Sequence, residues 1–203
     1  KNFRKINNIT LVEKTIIAAK KSKKFNEIIV SSDRNLNSLC KKYKIRFFFR
    51  KKYFDNKSSV SSATIHTIKK LKLDETHDIV VQLMPSCPLR DKNDIINCLK
   101  IFKKQKYNFL ISCFKISWLH FFWALEENRS GKKNFFFSKK FFDKKKKIFF
   151  PTGAVWIAKI QRLLKNKSFY HNSTSFFELN WINSIDIDLP EDFDNAKILS
   201  KIK

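Results

Sequence analysis

The run Asp78-Ile79-Val80-Val81-Gln82-Leu83-Met84 breaks off at Pro85-Ser86-Cys87-Pro88 and gives way to a helical pattern over residues 91–104. Short apolar runs rich in β-branched side chains read as buried strands. Proline has no N–H to give to a sheet ladder, so the two prolines end the strand. In the helix that follows, Ile95, Ile96, Leu99 and Phe102 fall on one face. Strand, rigid turn and amphipathic helix repeat in both directions. Upstream lie a helix over 10–24, capped by Thr10 with Glu13 three residues on, and a strand over 27–30 that ends in Ser31-Ser32-Asp33. A helix over 36–43, a strand over 45–49 and a helix over 60–72 follow. Downstream the pattern predicts strands over 109–114, 154–158 and 181–187, a short helix to residue 164 and a last helix over 191–202. Alternation of this kind defines a layered α/β domain with a largely parallel sheet. In such sheets ligands sit beyond the carboxyl ends of the strands. Three polar turns gather there: 31–33, 85–88, and the pair Asp186 and Asp188.

At 203 residues and 43% hydrophobic, the chain has the size and the apolar content of one domain. It holds no run of about 18 apolar residues, so no membrane span is expected. Residues 1–20 have no secretory signal pattern. Cys40, Cys87, Cys98 and Cys113 show no C-x-x-C spacing and read as reduced thiols of a cytoplasmic protein. The four histidines have no metal-binding spacing. A net charge of +25 invites a nucleic-acid reading. The excess is in lysine, however, and comes with 22 Phe and only 2 Gly, which is what strong A+T pressure on a gene produces. Ordinary third-position base usage in the coding sequence would refute that explanation. The charge still attracts anionic substrates. Residues 115–150 break the rhythm with Trp118, Phe121, Phe122, Trp123, Phe135–Phe137 and Lys144–Lys147. They read as an arm packing on a second subunit, or as a stacking surface for nucleic acid.

In Ser184-Ile185-Asp186-Ile187-Asp188 the isoleucines point one way and the carboxylates the other if the backbone is extended. Paired carboxylates suit Mg²⁺, which takes one or two of them and completes its shell with water and phosphate oxygens. A solvated acidic face would give the same pattern. Ser86 offers a hydroxyl, and Arg90 a planar fork for carboxylate or phosphate, unless it pairs with Asp91 or Asp94. Gly153, in Pro151-Thr152-Gly153-Ala154, permits close approach to the backbone. Arg50 follows Phe47-Phe48-Phe49, and Ser58, Ser59, Ser61 and Ser62 come next, either as ligands or as a helix cap.

In order along the chain, these segments resemble the acylneuraminate cytidylyltransferases, also called CMP-sialic acid synthetases. The resemblance rests on Lys1-Asn2-Phe3-Arg4, residues 11–19, Ile28-Ile29-Val30-Ser31-Ser32-Asp33, Met84 to Arg90, Pro151 to Trp156, and Ser184 to Asp188 with Pro190-Glu191-Asp192 and Ala196. It implies a three-layer, Rossmann-like nucleotidyltransferase fold with a mostly parallel, mixed central sheet. The single cytidylyltransferase domain would span 1–203, with a dimerisation arm at 115–150. The implied partners are CTP and a nonulosonic acid, CMP being transferred and pyrophosphate released, in a cytoplasmic homodimer. The resemblance assigns Asp186 and Asp188 to catalysis and to Mg²⁺, and Lys1, Asn2, Arg50 and Ser59 to the nucleotide. It assigns Met84, Ser86, Arg90, Thr152 and Gly153 to the substrate floor.

Several departures bear on what to expect. The family's N-terminal strand and its basic, glycine-containing phosphate loop belong before Lys1, and without them the chain is expected to bind CTP poorly. Met84 stands where the family has glutamine, and Thr152 where it has asparagine. The family's Arg-x-Gln-x-Leu-Pro element is replaced by Lys144–Lys147, which supply charge for the sugar carboxylate or form a solvated loop. Other readings are transfer to 3-deoxy-manno-octulosonate, a basic nucleic-acid-binding protein, and an inactive relative.

Overall fold

A computed structural model describes residues 2–50, 59–115, 121–137 and 147–203. Lys1, Ser58, Trp118 and Lys144–Lys146 lie outside the described residues. The chain opens with a small antiparallel hairpin, β1 (Lys5–Ile6) and β2 (Ile9–Thr10), turned by Asn7 and Asn8 at φ of 54° and 61°. Asparagine tolerates this left-handed conformation, so an Asn-Asn pair suits such a turn. Thr10 then caps α1 (Leu11–Ser22) in the expected capping box with Glu13.

The strands β3 (Ile29–Ser32) and β4 (Arg46–Phe49) pair in parallel around α2 (Asn37–Tyr43). Ser31 and Ser32 are the last residues of β3 rather than the turn after it. Next come α3 (Val60–Lys70), β5 (Ile79–Gln82), α4 (Lys92–Lys104) and β6 (Phe109–Lys115). A short hairpin, β7 (Leu125–Glu127) with β8 (Lys133–Phe135), is the described part of the arm. The chain ends with β9 (Phe149–Lys159), α5 (Ile160–Asn166), β10 (Thr174–Glu178) and α6 (Pro190–Ile202).

Four strands form the central sheet in the order β10-β6-β9-β5. The pair β10–β6 is parallel, while β9 runs antiparallel to both β6 and β5. The mixed α/β sheet is therefore as expected. Side chains alternate across it. Leu110, Val155 and Ile157 pack with Ala18 of α1 and with Ile95, Cys98, Leu99 and Phe102 of α4. Phe109, Ile111, Trp156 and Ala158 face Ile68 of α3 and Leu163 of α5. Helices thus cover both faces and make three layers.

One expected strand is absent. Residues 181–187 form a turn and an extended, unladdered segment, and the strand on that side of the sheet is β10 instead. The inward placing of Ile187 survives. Ile187 is buried and Ile185 partly so, in a third cluster with Ile6, Leu11, Phe193 and Ala196. What the segment lacks is a neighbouring strand. Its backbone bonds run to a loop, with the Ile187 N–H donating to the Ser86 carbonyl (2.9 Å), and to a side chain, the Thr152 hydroxyl donating to the Ser184 carbonyl (2.8 Å).

Candidate active site

The site is built where β6 and β9 fall out of register. Phe109 pairs with Ala158 and Ile111 with Trp156, but Cys113 pairs with Pro151. Ser112, fully buried, bridges the irregularity: its hydroxyl donates to the Thr152 carbonyl (3.1 Å) and accepts from the Val155 N–H (2.9 Å). Bulges of this kind re-aim a strand and are common beside active sites. Here the displaced stretch is residues 152–155, with Gly153 inside it. The Gly153 N–H donates to Oδ2 of Asp186 (3.2 Å), while its carbonyl accepts from the Met84 N–H (3.1 Å).

Glycine at 153 is a steric requirement. A Cβ there would lie 2.5 Å from Sδ of Met84 and 2.9 Å from Oδ2 of Asp186. The close approach foreseen for this residue is to the chain's own side chains. Thr152 is buried, and its hydroxyl oxygen lies 3.5 Å from Sγ of Cys87. Burial first, and the charge of Asp186 second, push the Cys87 thiol up to about 12.

Arg90 is buried to 4% exposure, and its fork is occupied. Nη1 donates to the carbonyls of Met84 (3.1 Å) and Ala154 (2.8 Å), and Nη2 to the Thr15 hydroxyl (2.7 Å). Its Nε has no hydrogen-bond partner among the described residues. Burial lowers its basicity, and the negative side of Cys87, Asp94 and Asp186 works the other way. Arg90 therefore pairs with backbone oxygens, and neither Asp91 nor Asp94 takes a hydrogen bond from it. Asp94 caps α4 together with Asp91 and accepts from the Asn183 amide at both oxygens (3.1 and 2.9 Å). That contact ties the start of the 183–188 segment to α4.

Asp186 lines a groove of about 490 Å³ with Phe114, Pro151, Thr152, Trp181 and Ile185, a volume in the small-molecule range. Asp188 is exposed one step further on, where the Asp192 carboxylate accepts from the N–H groups of Asp188 (2.9 Å) and Leu189 (2.8 Å). Trp156 donates from Nε1 to the Thr152 carbonyl (2.9 Å) and carries Tyr170 edge-on at 5.3 Å. Burial, then the Asp186 charge, raise the Tyr170 phenol above its ordinary value.

Met84, Ser86, Arg90, Thr152, Gly153 and Asp186 thus come together, but Arg90, expected in the substrate floor, is buried with its fork occupied by Met84, Ala154 and Thr15. Arg50 lies just past β4, its N–H donating to the Ser32 carbonyl (2.8 Å) and Nη2 reaching the Ser31 carbonyl (3.5 Å). Ser59 is the N-cap of α3, accepting from the Ser62 N–H (3.1 Å). The Asn2 carbonyl accepts from the Val12 N–H at the start of α1. Sequence reading missed Ser112, Asn183 and Tyr170. No motif marks Ser112. Asn183 was adjacent to a recognised motif and Tyr170 followed a buried phenylalanine, but neither spacing carried a signal.

The structure superposes on CMP:2-keto-3-deoxy-manno-octonic acid synthetase complexed with CTP at a TM-score of 0.67 and 12% identity, covering 100% of this chain and 92% of that one. The chain belongs to the cytidylyltransferase family, whose profile matches residues 1–201. It is 27% identical to post-translational flagellin modification protein B of Campylobacter coli, over 100% of this chain and 89% of that protein. It is 29% identical to the CMP-N,N'-diacetyllegionaminic acid synthase of Legionella pneumophila, over 95% of this chain and 86% of that protein.

Proposed function

We propose that the chain transfers CMP from CTP to the anomeric hydroxyl of a nonulosonic acid, releasing pyrophosphate. One observation carries this most directly. In a chain of net charge +25, Asp186 makes no ion pair among the described residues and faces a groove, its Oδ2 steadied by the Gly153 N–H. A carboxylate so placed is ready for a cation. Such a carboxylate suits Mg²⁺, which accepts one or two of them and keeps water and phosphate oxygens. Asp186 and Asp188 would hold it. Mg²⁺ held there would supply neutralisation of the charge that builds on the phosphoryl and pyrophosphate oxygens. The chain's own residues do the positioning. Asp192 fixes the backbone at Asp188, and Thr152 and Ser86 fix the segment on either side of Asp186. The name of the Legionella relative supports a nonulosonic substrate.

The second reading, transfer to 3-deoxy-manno-octulosonate, is favoured by end-to-end superposition on the octonic acid synthetase. The proposed assembly is a homodimer. Trp123, Leu125, Phe135 and Phe136 are all more than half exposed on and around the hairpin, a patch that a second subunit would cover. The proposed location is the cytoplasm. All four cysteines are free and buried, and among the described residues no helix is long and apolar enough to cross a membrane. The test is pyrophosphate release from CTP and Mg²⁺ with a panel of nonulosonic acids and 3-deoxy-manno-octulosonate. Turnover should vanish in Asp186→Asn and Asp188→Asn; turnover surviving both changes would remove the metal assignment.

A further inference from the structure

We infer that Arg90 is a positioning residue for Asp186 that works through the backbone of β9 and does not touch substrate; this rests on the cytidylyltransferase reading of the site. The regular ladder between β5 and β9 ends with Gln82 opposite Trp156. Beyond it a single further backbone bond, Met84 N–H to Gly153 carbonyl, continues the pairing. Nη1 of Arg90 takes over from there. It bridges the carbonyls of Met84 and Ala154, one on each chain segment. A guanidinium can do this because its donors are held in a planar fork, and burial among carbonyl dipoles strengthens each bond.

The side chain is itself anchored. Nη2 donates to Thr15 Oγ1, and that hydroxyl in turn donates to the Leu11 carbonyl in the first turn of α1. Arg90 therefore spans three elements: α1, the loop after β5, and β9. The residue it steadies on β9 adjoins Gly153, whose N–H is the donor that holds Oδ2 of Asp186. Ser112 and the Trp156 indole fix the Thr152 carbonyl on the other side. Gly153 is thus clamped from both neighbours, and Arg90 is the only charged member of the clamp. Groups hydrogen-bonded to a metal ligand, as the Gly153 N–H is to Asp186, typically change metal affinity by about 10–100-fold when lost, and Arg90 acts on that donor from one step further back.

Two glycines in the whole chain make a direct readout possible. Protein labelled with ¹⁵N only at glycine gives two amide signals, Gly131 in the hairpin turn and Gly153. Assignment follows from Gly131→Ala. In Arg90→Lys the charge remains but the planar fork that sets Nη1 between both carbonyls and Nη2 on Thr15 is lost. The Gly153 signal should move upfield in the proton dimension as its bond to Asp186 lengthens, with Gly131 unmoved. Thr15→Val, which leaves the arginine but removes its anchor, should move Gly153 the same way by less, and it supplies the result if Arg90→Lys does not fold. Half-saturating Mn²⁺ for turnover should rise by about tenfold in Arg90→Lys. A Gly153 signal at its wild-type position in the folded variants, or equal movement of both glycines, would overturn the inference. The signal needs neither CTP nor turnover. Wild-type protein without turnover, beside variants whose Gly153 moves, would refute the cytidylyltransferase reading and keep the clamp; active wild-type protein beside variants whose Gly153 stays would do the reverse.

Discussion

Replacing Gly153 by alanine puts one methyl group between the two side chains that meet there. The new Cβ would stand 2.5 Å from Met84 Sδ and 2.9 Å from Asp186 Oδ2, against an optimum of about 3.5–4 Å for such pairs. Overpacking of this kind costs about 1–3 kcal/mol. Removing a glycine from the unfolded chain returns about 0.4–1 kcal/mol. The net expectation is a loss of roughly 0.5–2 kcal/mol in urea denaturation. The two neighbours respond differently. Met84 is unbranched and half-buried, so its thioether can swing aside. Asp186 cannot retreat without lengthening its bond to the Gly153 N–H. Stability should therefore fall modestly, while half-saturating Mg²⁺ for pyrophosphate release rises by about 10–100-fold. Met84→Ala removes the nearer contact. In the double variant the stability losses should fall short of their sum by about 1 kcal/mol, within the range seen for touching residues. The Mg²⁺ requirement should stay high, because the contact with Asp186 remains. Stabilities that add to within about 0.5 kcal/mol, together with an unchanged Mg²⁺ requirement, would refute this view of the site.

Other consequences follow from particular contacts. Thr10→Ala removes the hydroxyl half of the α1 capping box and should cost about 1 kcal/mol by chemical denaturation. All four thiols are buried, so a thiol-reactive dye at pH 8 should label none in the native protein and four after denaturation. Burial raises Asp94 above its ordinary value of 3.8, against hydrogen bonds from Asp91 and Asn183, with Lys203 and Arg90 also facing it. The folded state thus holds this proton more tightly than the unfolded chain, so its contribution to stability is full below about pH 4 and fades as pH rises through the raised value. Asp94→Asn should flatten the urea midpoint against pH in that weakly acidic range. Phe135→Lys with Phe136→Lys should give a monomer by sedimentation, since both rings are more than half exposed on the hairpin.

Much of this arrangement was legible in the chain, and the failures share one cause. Thr10 with Glu13, and the apolar spacing of residues 95, 99 and 102, specify local contacts within one element, and those elements stand where expected. The alternation in 184–188 correctly sent Ile187 inward, yet it could not say whether the extended backbone had a neighbouring strand. Its partners are a loop carbonyl and a threonine hydroxyl distant in sequence. Antiparallel β9 follows an arm instead of a crossover helix, and antiparallel neighbours need no crossover. β10 was missed because Thr174-Ser175-Phe176-Phe177-Glu178 is half polar, as befits a strand at the end of the sheet order. Arg90 looked like an open fork because an arginine in a turn is ordinarily solvated; only tertiary packing reveals three acceptors around it.

The central claim, that Asp186 and Asp188 hold the divalent ion that lets CTP be cleaved, is tested most directly by paramagnetic broadening. Glycine-labelled protein is saturated with CTP, and Mn²⁺ is added below one equivalent. The Gly153 amide, bonded to the Asp186 carboxylate, should broaden away, and the Asp186→Asn, Asp188→Asn protein should keep it. A Gly153 signal that survives Mn²⁺ in the wild-type protein, or is lost equally in the double variant, would contradict the assignment.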